Sequence, residues 1–443
     1  MDIEVNSKNI KKGDTFIAIK GINNDGHDFI NDAIKNGASK IIAEKGNYEV
    51  ETIIVEDTRK YLIEELKNKY YEKIKDLKLI GITGTNGKTT TCYLIYQALN
   101  KLGIKCAYIG TIGFYMDKKI KDLNNTTPDI LDLYKMLLKC SENNYNYIVM
   151  EVSSQALDMN RLDTLYFDYA VFTNLTQEHL DYHKNMENYA LAKQKLFKKL
   201  RENGISIVNI DDEYCNYFLD KNSITYGFKK SDYQIEEYKM FADKTIFKIN
   251  NEEYVTQLIG KYNIYNILVC IIILKQLKIY NENIISLLEP PVGRTEKIEY
   301  KNNLIVIDYA HTPDAVLKII NSVKELGYNN IYTIIGCGGN RDKTKRSLMG
   351  KITTDLSNFV IFTNDNPRNE NPDSIIEDMI LKIDKNNYQI IKNRKKAIKK
   401  GIQILNGNDI LLVLGKGHEE YQIIGNEKRY FCDKLEVLKY IRR

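Results

Sequence analysis

Short apolar, β-branched segments alternate with amphipathic stretches along almost the whole chain of 443 residues. Short apolar runs bounded by turn residues are typical of buried strands, and apolar residues at helical spacing are typical of helices. Strands that alternate with helices favour parallel sheets covered by helices. The pattern therefore predicts an α/β fold with mostly parallel sheets.

The alternation divides into three predicted units, of which the first covers residues 1–76. It predicts strands at "TFIAIKG", "KIIAE" and "TIIVED", and helices at "HDFINDAIKNGA" and "TRKYLIEELKNKYYE". The second unit, 77–292, begins with the strand "LKLIGIT" and continues through "CAYIG", "YIVMEV", "YAVFTN" and "ISIVNI". Between 223 and 257 the pattern changes to short polar strand-like pieces, which predict an antiparallel insertion at a sheet edge.

The third predicted unit covers residues 293–443 and follows "EPPVGRTE", whose prolines and glycine predict an interdomain turn. The strand pattern then restarts in "LIVIDYAH", "NIYTIIGCGG", "FVIFTNDNP", "YQIIKN" and "DILLVLGKGH". We therefore expect a separately wound α/β domain at the C-terminal end.

Composition excludes several classes of function. A net charge of +5 is small for this length, so we expect no nucleic-acid partner. The seven cysteines show no C-x-x-C spacing, which argues against a zinc site and fits a reducing cytosol. The longest apolar run, 267–274, is far shorter than the ~20 residues of a membrane span, and the polar N-terminus does not resemble a signal peptide. We expect a cytoplasmic protein without a membrane span.

The segment "GITGTNGKTTT" predicts a phosphate-binding loop, although the strict pattern requires a glycine where this chain has Ile82. The strand, loop and helix order places backbone N–H groups and a helix N-terminus against an anion. Lys88 is then suited to the outer phosphates and Thr89 to a Mg²⁺ shell. The alternative is a glycine-rich turn with an incidental lysine, which this context disfavours.

Two further motifs in the second unit suggest a metal site. Glu151 ends the apolar strand of "YNYIVMEVSSQAL", where a carboxylate beside a phosphate loop can hold Mg²⁺. His179 and His183 flank Asp181 in "TNLTQEHLDYH", and imidazole can complete a Mg²⁺ or Mn²⁺ shell. A surface loop with incidental histidines is the alternative for this segment.

Polar and glycine-rich motifs follow the strands of the third unit: "DYAHTPDA", "GCGGNRDKTKR", "TNDNPRNENPD" and "LGKGHEEYQ". The carboxyl ends of parallel strands meet at one edge of a sheet and form ligand sites there. An arginine held in such a loop suits bidentate capture of a carboxylate. A second ligand site is therefore predicted, with capping and turn chemistry as the alternative. Its candidates from the residues alone are Asp308, His311, Arg341, Asp365, Asn366 and Arg368.

Taken together and in this order, the motifs resemble those of the Mur ligases, the ATP-dependent amide-forming enzymes of peptidoglycan synthesis. The phosphate loop of that family has the same G-T-x-G-K-T form, so Ile82 is expected there. Within the family, the chain resembles the members that add the third residue to UDP-N-acetylmuramoyl-L-alanyl-D-glutamate. The resemblance implies an N-terminal UDP-sugar-binding domain, a central ATP-binding domain with a P-loop ATPase-type parallel sheet, and a Rossmann-like C-terminal amino-acid-binding domain.

The resemblance also implies the chemistry. In this acid–amino-acid ligase, ATP phosphorylates the D-Glu carboxylate, and the incoming amine attacks the acyl phosphate. The implied catalytic residues are Lys88, Glu151, His179 and Lys193. Mg²⁺ would be held by Thr89, Glu151, His179 and Lys193, the last as a carbamate formed with CO₂. From the residues alone, Lys193 is one of several lysines on an amphipathic helix.

The remaining site residues are implied by motif position. The ATP-binding set is Gly84, Thr85, Asn86, Gly87, Lys88, Thr89, Thr90, Asn263, Asn266, Arg294 and His311, with Asp308 in support. The UDP-MurNAc-dipeptide set is Ser7, Thr126, Thr127, Ser153 and Arg161. The amino-acid set is Arg341, Asp365, Asn366, Pro367, Arg368, Gly415 and Glu419. The stretch around Ser7 departs from the family's D-S-R segment, since it reads "NSK".

The motif "DNPR" implies that the added amino acid is meso-diaminopimelate, because Arg368 can pair with its distal carboxylate and lysine has none. Lanthionine and other diamino acids with the same two ends fit as well. Another Mur or folylpolyglutamate-type ligase, and a nucleotide-dependent switch without ligase turnover, are the remaining alternatives. The expected partners are small-molecule substrates, and the expected state is a monomer.

Overall fold

The structure is a computed structural model that describes residues 2–21 and 24–442. Three sheets built around parallel strands follow one another along the chain, and helices cover them. The predicted α/β fold with mostly parallel sheets is therefore confirmed. In the described part of the chain, no helix combines the length and the apolar character that a membrane crossing requires.

The first sheet has four parallel strands in the order of the chain. They are β1 (Ile3–Glu4), β2 (Thr15–Ile17), β3 (Lys40–Ala43) and β4 (Glu51–Ile54). Its helices are α1 (Ile30–Lys35) and α2 (Thr58–Ile74), with 3₁₀ turns at Ser7–Asn9 and Gly26–Phe29. Asp57 caps α2 by accepting hydrogen bonds from two backbone N–H groups, which fixes where the helix begins.

The second sheet has eleven strands, and its centre is parallel. The strands are β5 (Lys78–Thr83), β6 (Cys106–Gly110), β7 (Gly113–Tyr115), β8 (Lys119–Lys121), β9 (Tyr147–Glu151), β10 (Phe167–Phe172), β11 (Leu200–Asn209), β12 (Ile224–Gly227), β13 (Tyr233–Met240), β14 (Thr245–Ile249) and β15 (Glu252–Thr256). Their order across the sheet is β15-β14-β13-β12-β11-β10-β5-β9-β6-β7-β8. The phosphate-loop strand β5 therefore lies between β9 and β10.

Six helices belong to the second sheet. They are α3 (Lys88–Lys101), α4 (Ile130–Glu142), α5 (Ser154–Asp158), α6 (Leu180–His183), α7 (Met186–Gln194) and α8 (Lys261–Gln276), with 3₁₀ turns at Phe197–Lys199, Cys215–Tyr217 and Ile285–Leu287. The unbroken apolar run of α8 is buried, because this helix packs against α3 and the sheet. This packing holds the helix that begins at the phosphate loop.

The predicted antiparallel insertion is confirmed at one edge of the second sheet, where β13, β14 and β15 pair antiparallel. The opposite edge ends in an antiparallel β7–β8 hairpin, which the sequence pattern did not predict. Strands of three residues, one of them fully exposed, contain too few alternating positions to be recognised.

The third sheet has the order β16-β17-β21-β18-β19-β20, and only β16 runs antiparallel. The strands are β16 (Glu296–Tyr300), β17 (Asn303–Asp308), β18 (Ile331–Ile335), β19 (Phe359–Phe362), β20 (Tyr388–Ile390) and β21 (Ile410–Leu414), and a separate hairpin contains β22 (Tyr421–Ile424) and β23 (Glu427–Tyr430). The helices are α9 (Pro313–Lys324), α10 (Thr344–Leu356), α11 (Pro372–Ile380), α12 (Arg394–Gln403) and α13 (Asp433–Ile441).

Candidate active site

The phosphate loop joins β5 to α3, and its glycines have conformations that other residues avoid. Gly84 has a φ of +145° and Gly87 a φ of +89° directly before the first turn of α3. A Cβ on Gly84 would lie 1.9 Å from Thr173 Oγ1. The loop backbone can therefore turn against the end of β10 only with glycine at this position.

Ile82, the departure from the strict phosphate-loop pattern, lies inside β5 and is fully buried. It pairs with Glu151 on one side and Val171 on the other. The loop itself therefore begins only at Gly84, and a glycine at position 82 would weaken a central strand.

Lys88 lies at the start of α3 with its ammonium on the loop. Its Nζ donates to the carbonyl oxygens of Gly84 at 2.9 Å and Thr85 at 2.7 Å. Burial lowers the pKa of Lys88, while the carboxylates of Glu178 and Glu151 act in the opposite direction. The ammonium is therefore held against the backbone of the loop that the sequence predicts to bind phosphate.

Lys193 is buried beside the same loop. Its side chain is 1% exposed, and Nζ donates to the Gly84 carbonyl oxygen at 2.8 Å. Burial, reinforced by the nearby charge of Lys88, places the pKa of Lys193 well below its usual value. The amphipathic pattern of α7 suggested a solvated lysine, but the tertiary structure instead makes it a desolvated amine that shares an acceptor with Lys88.

Glu151 is the last residue of β9 and is 1% exposed. Both oxygens of its carboxylate accept hydrogen bonds. Oε1 accepts hydrogen bonds from the Tyr108 hydroxyl at 2.5 Å and the Thr111 N–H at 2.8 Å. Oε2 accepts from the hydroxyls of Thr89 and Thr111, each at 3.0 Å. The carboxylate and the first hydroxyl of α3 are thus brought together from different elements.

Glu178 and His179 occupy the loop after β10. His179 has a φ of +56°, and its Nε2 lies 3.8 Å from Glu178 Oε2. Burial raises the pKa of Glu178, but His311, His179 and Lys88 outweigh burial and hold that pKa far below its usual value. The sequence analysis did not identify Glu178, although this residue directly precedes the predicted metal ligand His179.

His183, the other histidine of this motif, does not reach the cavity. Its Nε2 lies 2.8 Å from Ser154 Oγ, its Nδ1 lies 3.5 Å from Asp158, and its ring stacks on Tyr189. Burial lowers the pKa of His183 to about 4. This histidine packs the back of the site.

Arg294 connects the third unit to the phosphate loop. Its Nη2 donates to Thr89 Oγ1 at 3.3 Å, and its guanidinium lies 4.4 Å from the Tyr309 ring centre. Asp308 holds this segment by accepting the Thr295 N–H at 2.6 Å. His311 contacts the Tyr309 carbonyl oxygen through Nδ1 at 2.8 Å. A positive charge thus lies over the start of α3.

Two cavities share the phosphate loop. The main cavity, about 550 Å³, lies between the second and third sheets, and the adjoining cavity is about 470 Å³. Predicted residues that line the main cavity are Thr85, Asn86, Gly87, Lys88, Thr89, Thr90, Thr126, Glu151, His179, Arg294, His311, Arg341, Asp365, Asn366, Arg368, Gly415 and Glu419. Predicted residues that line the adjoining cavity are Asn86, Gly87, Thr90, Asn266, Arg294, Asp308 and His311.

The two predicted asparagines of α8 have different positions. Asn266 lines the adjoining cavity, and its Oδ1 accepts the Thr91 hydroxyl at 3.1 Å. Asn263 is 2% exposed and lines neither cavity. Its Oδ1 accepts from Asn266 Nδ2 at 3.0 Å. Asn263 therefore orients Asn266 without lining the cavity itself.

Only one residue of the predicted UDP-dipeptide set reaches the main cavity. Thr126 lines it, whereas Thr127 is fully buried and donates to the Glu151 carbonyl oxygen at 2.8 Å. Ser153 caps α5, and Arg161 Nη1 donates to the Thr127 carbonyl oxygen at 2.9 Å. Ser7 lines a separate cavity of about 380 Å³ in the first unit.

The predicted amino-acid set gathers at the carboxyl ends of β18, β19 and β21, except that Pro367 is buried outside the cavity lining. Arg368 has a φ of +52° and is fixed at both ends. Its N–H donates to the Ile423 carbonyl oxygen at 3.0 Å, and Nη1 donates to the Gly339 carbonyl oxygen at 2.8 Å. The β22–β23 hairpin, which the sequence pattern did not predict, therefore positions this arginine.

Known proteins resemble this chain over nearly its whole length. Sequence models of the Mur ligase family match three consecutive segments: its catalytic domain at 2–81, its middle domain at 82–274 and its glutamate ligase domain at 293–417. A protein from Clostridium perfringens and one from Aquifex aeolicus are 41% and 40% identical to this chain. Each match covers 99% of this chain, with 94% and 93% of the relative. Both relatives are named UDP-N-acetylmuramoyl-L-alanyl-D-glutamate–2,6-diaminopimelate ligase.

Solved structures agree with this assignment. A structure of a protein with that same name is 30% identical, covers 99% of this chain and 94% of its own, and has a TM-score of 0.69. MurF ligase from Thermotoga maritima in complex with ADP has the same fold at 20% identity, with a TM-score of 0.69 over 99% of this chain and 96% of its own. The chain therefore belongs to the Mur ligase family, and its sequence-based identification as an ATP-dependent ligase of that family is confirmed.

Proposed function

We propose that this enzyme joins meso-diaminopimelate to the D-Glu carboxylate of UDP-N-acetylmuramoyl-L-alanyl-D-glutamate, with ATP consumed through an acyl phosphate, in peptidoglycan precursor synthesis. One observation carries the proposal. A single cavity contains the phosphate loop at one end and, at the other, arginines with carboxylates suited to an amino acid bearing both charges. Relatives at about 40% identity carry the name of this reaction.

At the phosphate end, the chain's own groups neutralise and orient ATP. The N–H groups at the start of α3 donate to the phosphate oxygens, and Lys88 moves from the loop carbonyls to the outer phosphates. Arg294 adds a second positive charge over Thr89. The adjoining cavity, lined by Asn266 and Tyr262, takes the rest of the nucleotide. Preorganised positive charge at the transferred phosphoryl group is the largest contribution expected here.

Mg²⁺ fits the residues present. Thr89 and Glu151 provide an adjacent hydroxyl and carboxylate, the oxygen ligands that this ion prefers. His179 and the carbamate of Lys193 would bind Mg²⁺ at a second position. Among the described residues, no three His, Cys, Asp or Glu side chains gather as a metal-binding cluster. A carbamate on Lys193 would add an oxygen ligand of the kind that Mg²⁺ prefers. When bound, Mg²⁺ neutralises charge on the transferred phosphoryl group.

The state of Lys193 supports its carbamylation. Only the neutral amine can react with CO₂, and burial already lowers the pKa of this group well below its usual value. Carbamylation would replace a desolvated amine by an anion, and that anion would attract the positive charge of Lys88, which now lowers the pKa of Lys193. It would also remove the positive charge by which Lys193 lowers the pKa of His179.

The UDP-sugar peptide is proposed to extend from the first unit to the main cavity. Ser7 lines the cavity of the first unit, and Thr126 lines the main cavity. Thr127, Ser153 and Arg161 would act by holding this segment against β9, because their hydrogen bonds already tie it there. The D-Glu carboxylate would then meet the outer phosphate near Lys88.

The amino acid is proposed to occupy the third-unit end of the main cavity. Arg368, with Arg341 nearby, would pair with a carboxylate, and Glu419 with the distal ammonium. Asp365, Asn366 and Gly415 complete the wall, and a Cβ on Gly415 would lie 2.8 Å from Asp365 Oδ2. The reacting amine is thereby directed toward the phosphate end.

The domain division is proposed at 1–76, 77–292 and 293–443. We also propose a monomer that acts in the cytoplasm on small molecules and has no nucleic-acid partner.

The decisive experiment is an amino-acid panel scored by phosphate release from ATP. With the UDP-dipeptide present, meso-diaminopimelate should support strong turnover and L-lysine only weak turnover. Equal turnover with L-lysine would refute the specificity, and turnover with lanthionine would broaden it to amino acids with the same two ends. Release of phosphate with folate and glutamate would indicate the folylpolyglutamate-type alternative. ATP binding without any substrate-dependent release would indicate a switch.

A further inference from the structure

Lys416 is a fully buried lysine behind the wall of the amino-acid end of the main cavity. It follows β21 directly, next to Gly415. Burying an ammonium costs desolvation free energy unless the group is paired and hydrogen-bonded. The partners of Lys416 therefore indicate its role. Those partners are three of the residues assigned to the amino acid.

The ammonium of Lys416 lies between two carboxylates. Its Nζ donates to Glu419 Oε2 at 3.1 Å and lies 3.8 Å from Asp365 Oδ1. Two carboxylates in one pocket repel each other, and an intervening cation offsets that repulsion. Lys416 therefore allows Asp365 and Glu419 to stand in the same wall while Arg341 and Arg368 stay available to a ligand.

Lys416 also fixes the orientation of the neighbouring groups. Its Nζ donates to Asn366 Oδ1 at 3.2 Å, and the Asn366 Nδ2 donates to Glu419 Oε2 at 2.7 Å. The Ile423 N–H donates to Asn366 Oδ1 at 2.9 Å from the hairpin side. Among the hydrogen bonds of the described residues, every bond to the Glu419 carboxylate ends on Oε2, so Oε1 is left for a ligand.

Resting on the proposed function, we infer that Lys416 is a positioning residue for amino-acid selection. It holds one oxygen of Glu419 so that the other receives the distal ammonium of the incoming diamino acid. With Arg341 and Arg368 it gives three cations against the carboxylates of Asp365 and Glu419. Lys345 and Asp342, which line the same cavity, add one charge of each sign and leave the excess of positive charge at one. That excess of one matches a diamino acid with two carboxylates, one ammonium and one neutral attacking amine.

The test uses Lys416→Met, Lys416→Arg, Glu419→Gln and the double variant Lys416→Met/Glu419→Gln, in the full-length enzyme. Phosphate release is measured with ATP, Mg²⁺ and the UDP-dipeptide, against meso-diaminopimelate and 2-aminopimelate. The second amino acid keeps the distal carboxylate but lacks the distal amine. Lys396→Met, on the exposed face of α12, is the control for loss of a surface lysine of the same unit.

We expect Lys416→Met to raise the KM for meso-diaminopimelate by about tenfold or more, since a group bound to the ligand loses its charged hydrogen-bond partner. The KM for ATP should not change, and Lys416→Arg should recover most of the loss. The penalty should shrink to about twofold for 2-aminopimelate. In the Glu419→Gln background, Lys416→Met should add about twofold at most, because coupled residues are not additive.

A penalty equal for both amino acids, or additive in the double variant, would overturn this role and leave a merely structural lysine. A lowered kcat with unchanged amino-acid KM would also overturn it. If the wild-type enzyme turns over no amino acid with the UDP-dipeptide, the proposed function fails and this inference fails with it. The wild-type measurement therefore separates the two failures.

Discussion

Arg368 offers the sharpest test of why this site selects its amino acid. In Arg368→Ala the guanidinium that lines the main cavity is removed, while the backbone bonds from Arg368 to Ile423 and Gly425 remain available. The left-handed φ of +52° is tolerated poorly by any side chain, so alanine adds no new backbone strain. The variant therefore loses the carboxylate partner and the hydrogen bond from Nη1 to the Gly339 carbonyl oxygen.

The magnitude follows from what the ligand would lose. Removing one partner of a buried, hydrogen-bonded charge pair costs roughly 2–5 kcal/mol. Arg341 lies in the same cavity and can partly compensate, so we expect the lower part of that range, about 2–3 kcal/mol. This corresponds to a KM for meso-diaminopimelate raised about 30- to 150-fold.

The assay is phosphate release at saturating ATP and UDP-dipeptide, with meso-diaminopimelate and L-lysine compared in the same variant. L-Lysine has no distal carboxylate, so its weak turnover should not fall further, and the discrimination between the two amino acids should collapse. Arg429→Ala is the matched control, because Arg429 is exposed on β23 and pairs only with Glu427 among the described residues. An unchanged KM for meso-diaminopimelate in Arg368→Ala, or an equal loss with L-lysine, would refute the reasoning.

Three further predictions concern the phosphate end and its support. Lys193→Met should abolish phosphate release without lowering the free energy of unfolding, because an apolar side chain replaces a desolvated amine; full activity would contradict its role. Gly84→Ala should destabilise by roughly 2–5 kcal/mol in urea unfolding, since its Cβ meets Thr173, whereas Gly103→Ala, with open space around it, should cost only about 1 kcal/mol. Burial lowers the pKa of His183 from 6.5 to about 4, so the unfolded chain binds more protons between those pH values. Stability should therefore fall by up to about 1.4 kcal/mol per unit as pH decreases from 6.5 to 4, and this part of the slope should vanish in His183→Asn. A slope unchanged by that substitution would contradict the assignment.

The sequence was sufficient for those features that depend on neighbouring residues. The strand, glycine loop and helix order around Lys88 is local, so a helix starting near Lys88 could be predicted, and α3 begins there. The period of apolar positions similarly identified the long parallel strands. Short edge elements such as the β7–β8 and β22–β23 hairpins were not predicted. Pairing with a neighbouring strand stabilises them, and their own pattern of apolar and polar residues is too short to show it.

The candidate site shows the same division. Motif positions selected 17 of the 36 residues that line the main cavity, because each motif follows a strand whose carboxyl end faces it. They could not distinguish Asn266, which reaches a cavity, from Asn263, which only supports it. They also passed over Glu178 and Lys416, whose importance lies in partners more than 40 residues away or on other loops.

By itself, then, the sequence determined which chemistry the chain carries: a phosphate loop, acids and histidines after it, and an arginine in "DNPR". Only the tertiary structure decided the state of those groups. Lys193 looks like a solvated lysine on a helix, yet its amine lies 2.8 Å from the Gly84 carbonyl oxygen with 1% of the residue exposed. Desolvation and the charge of a neighbour depend on what packs against a side chain, and residue type and spacing along the chain do not contain that information.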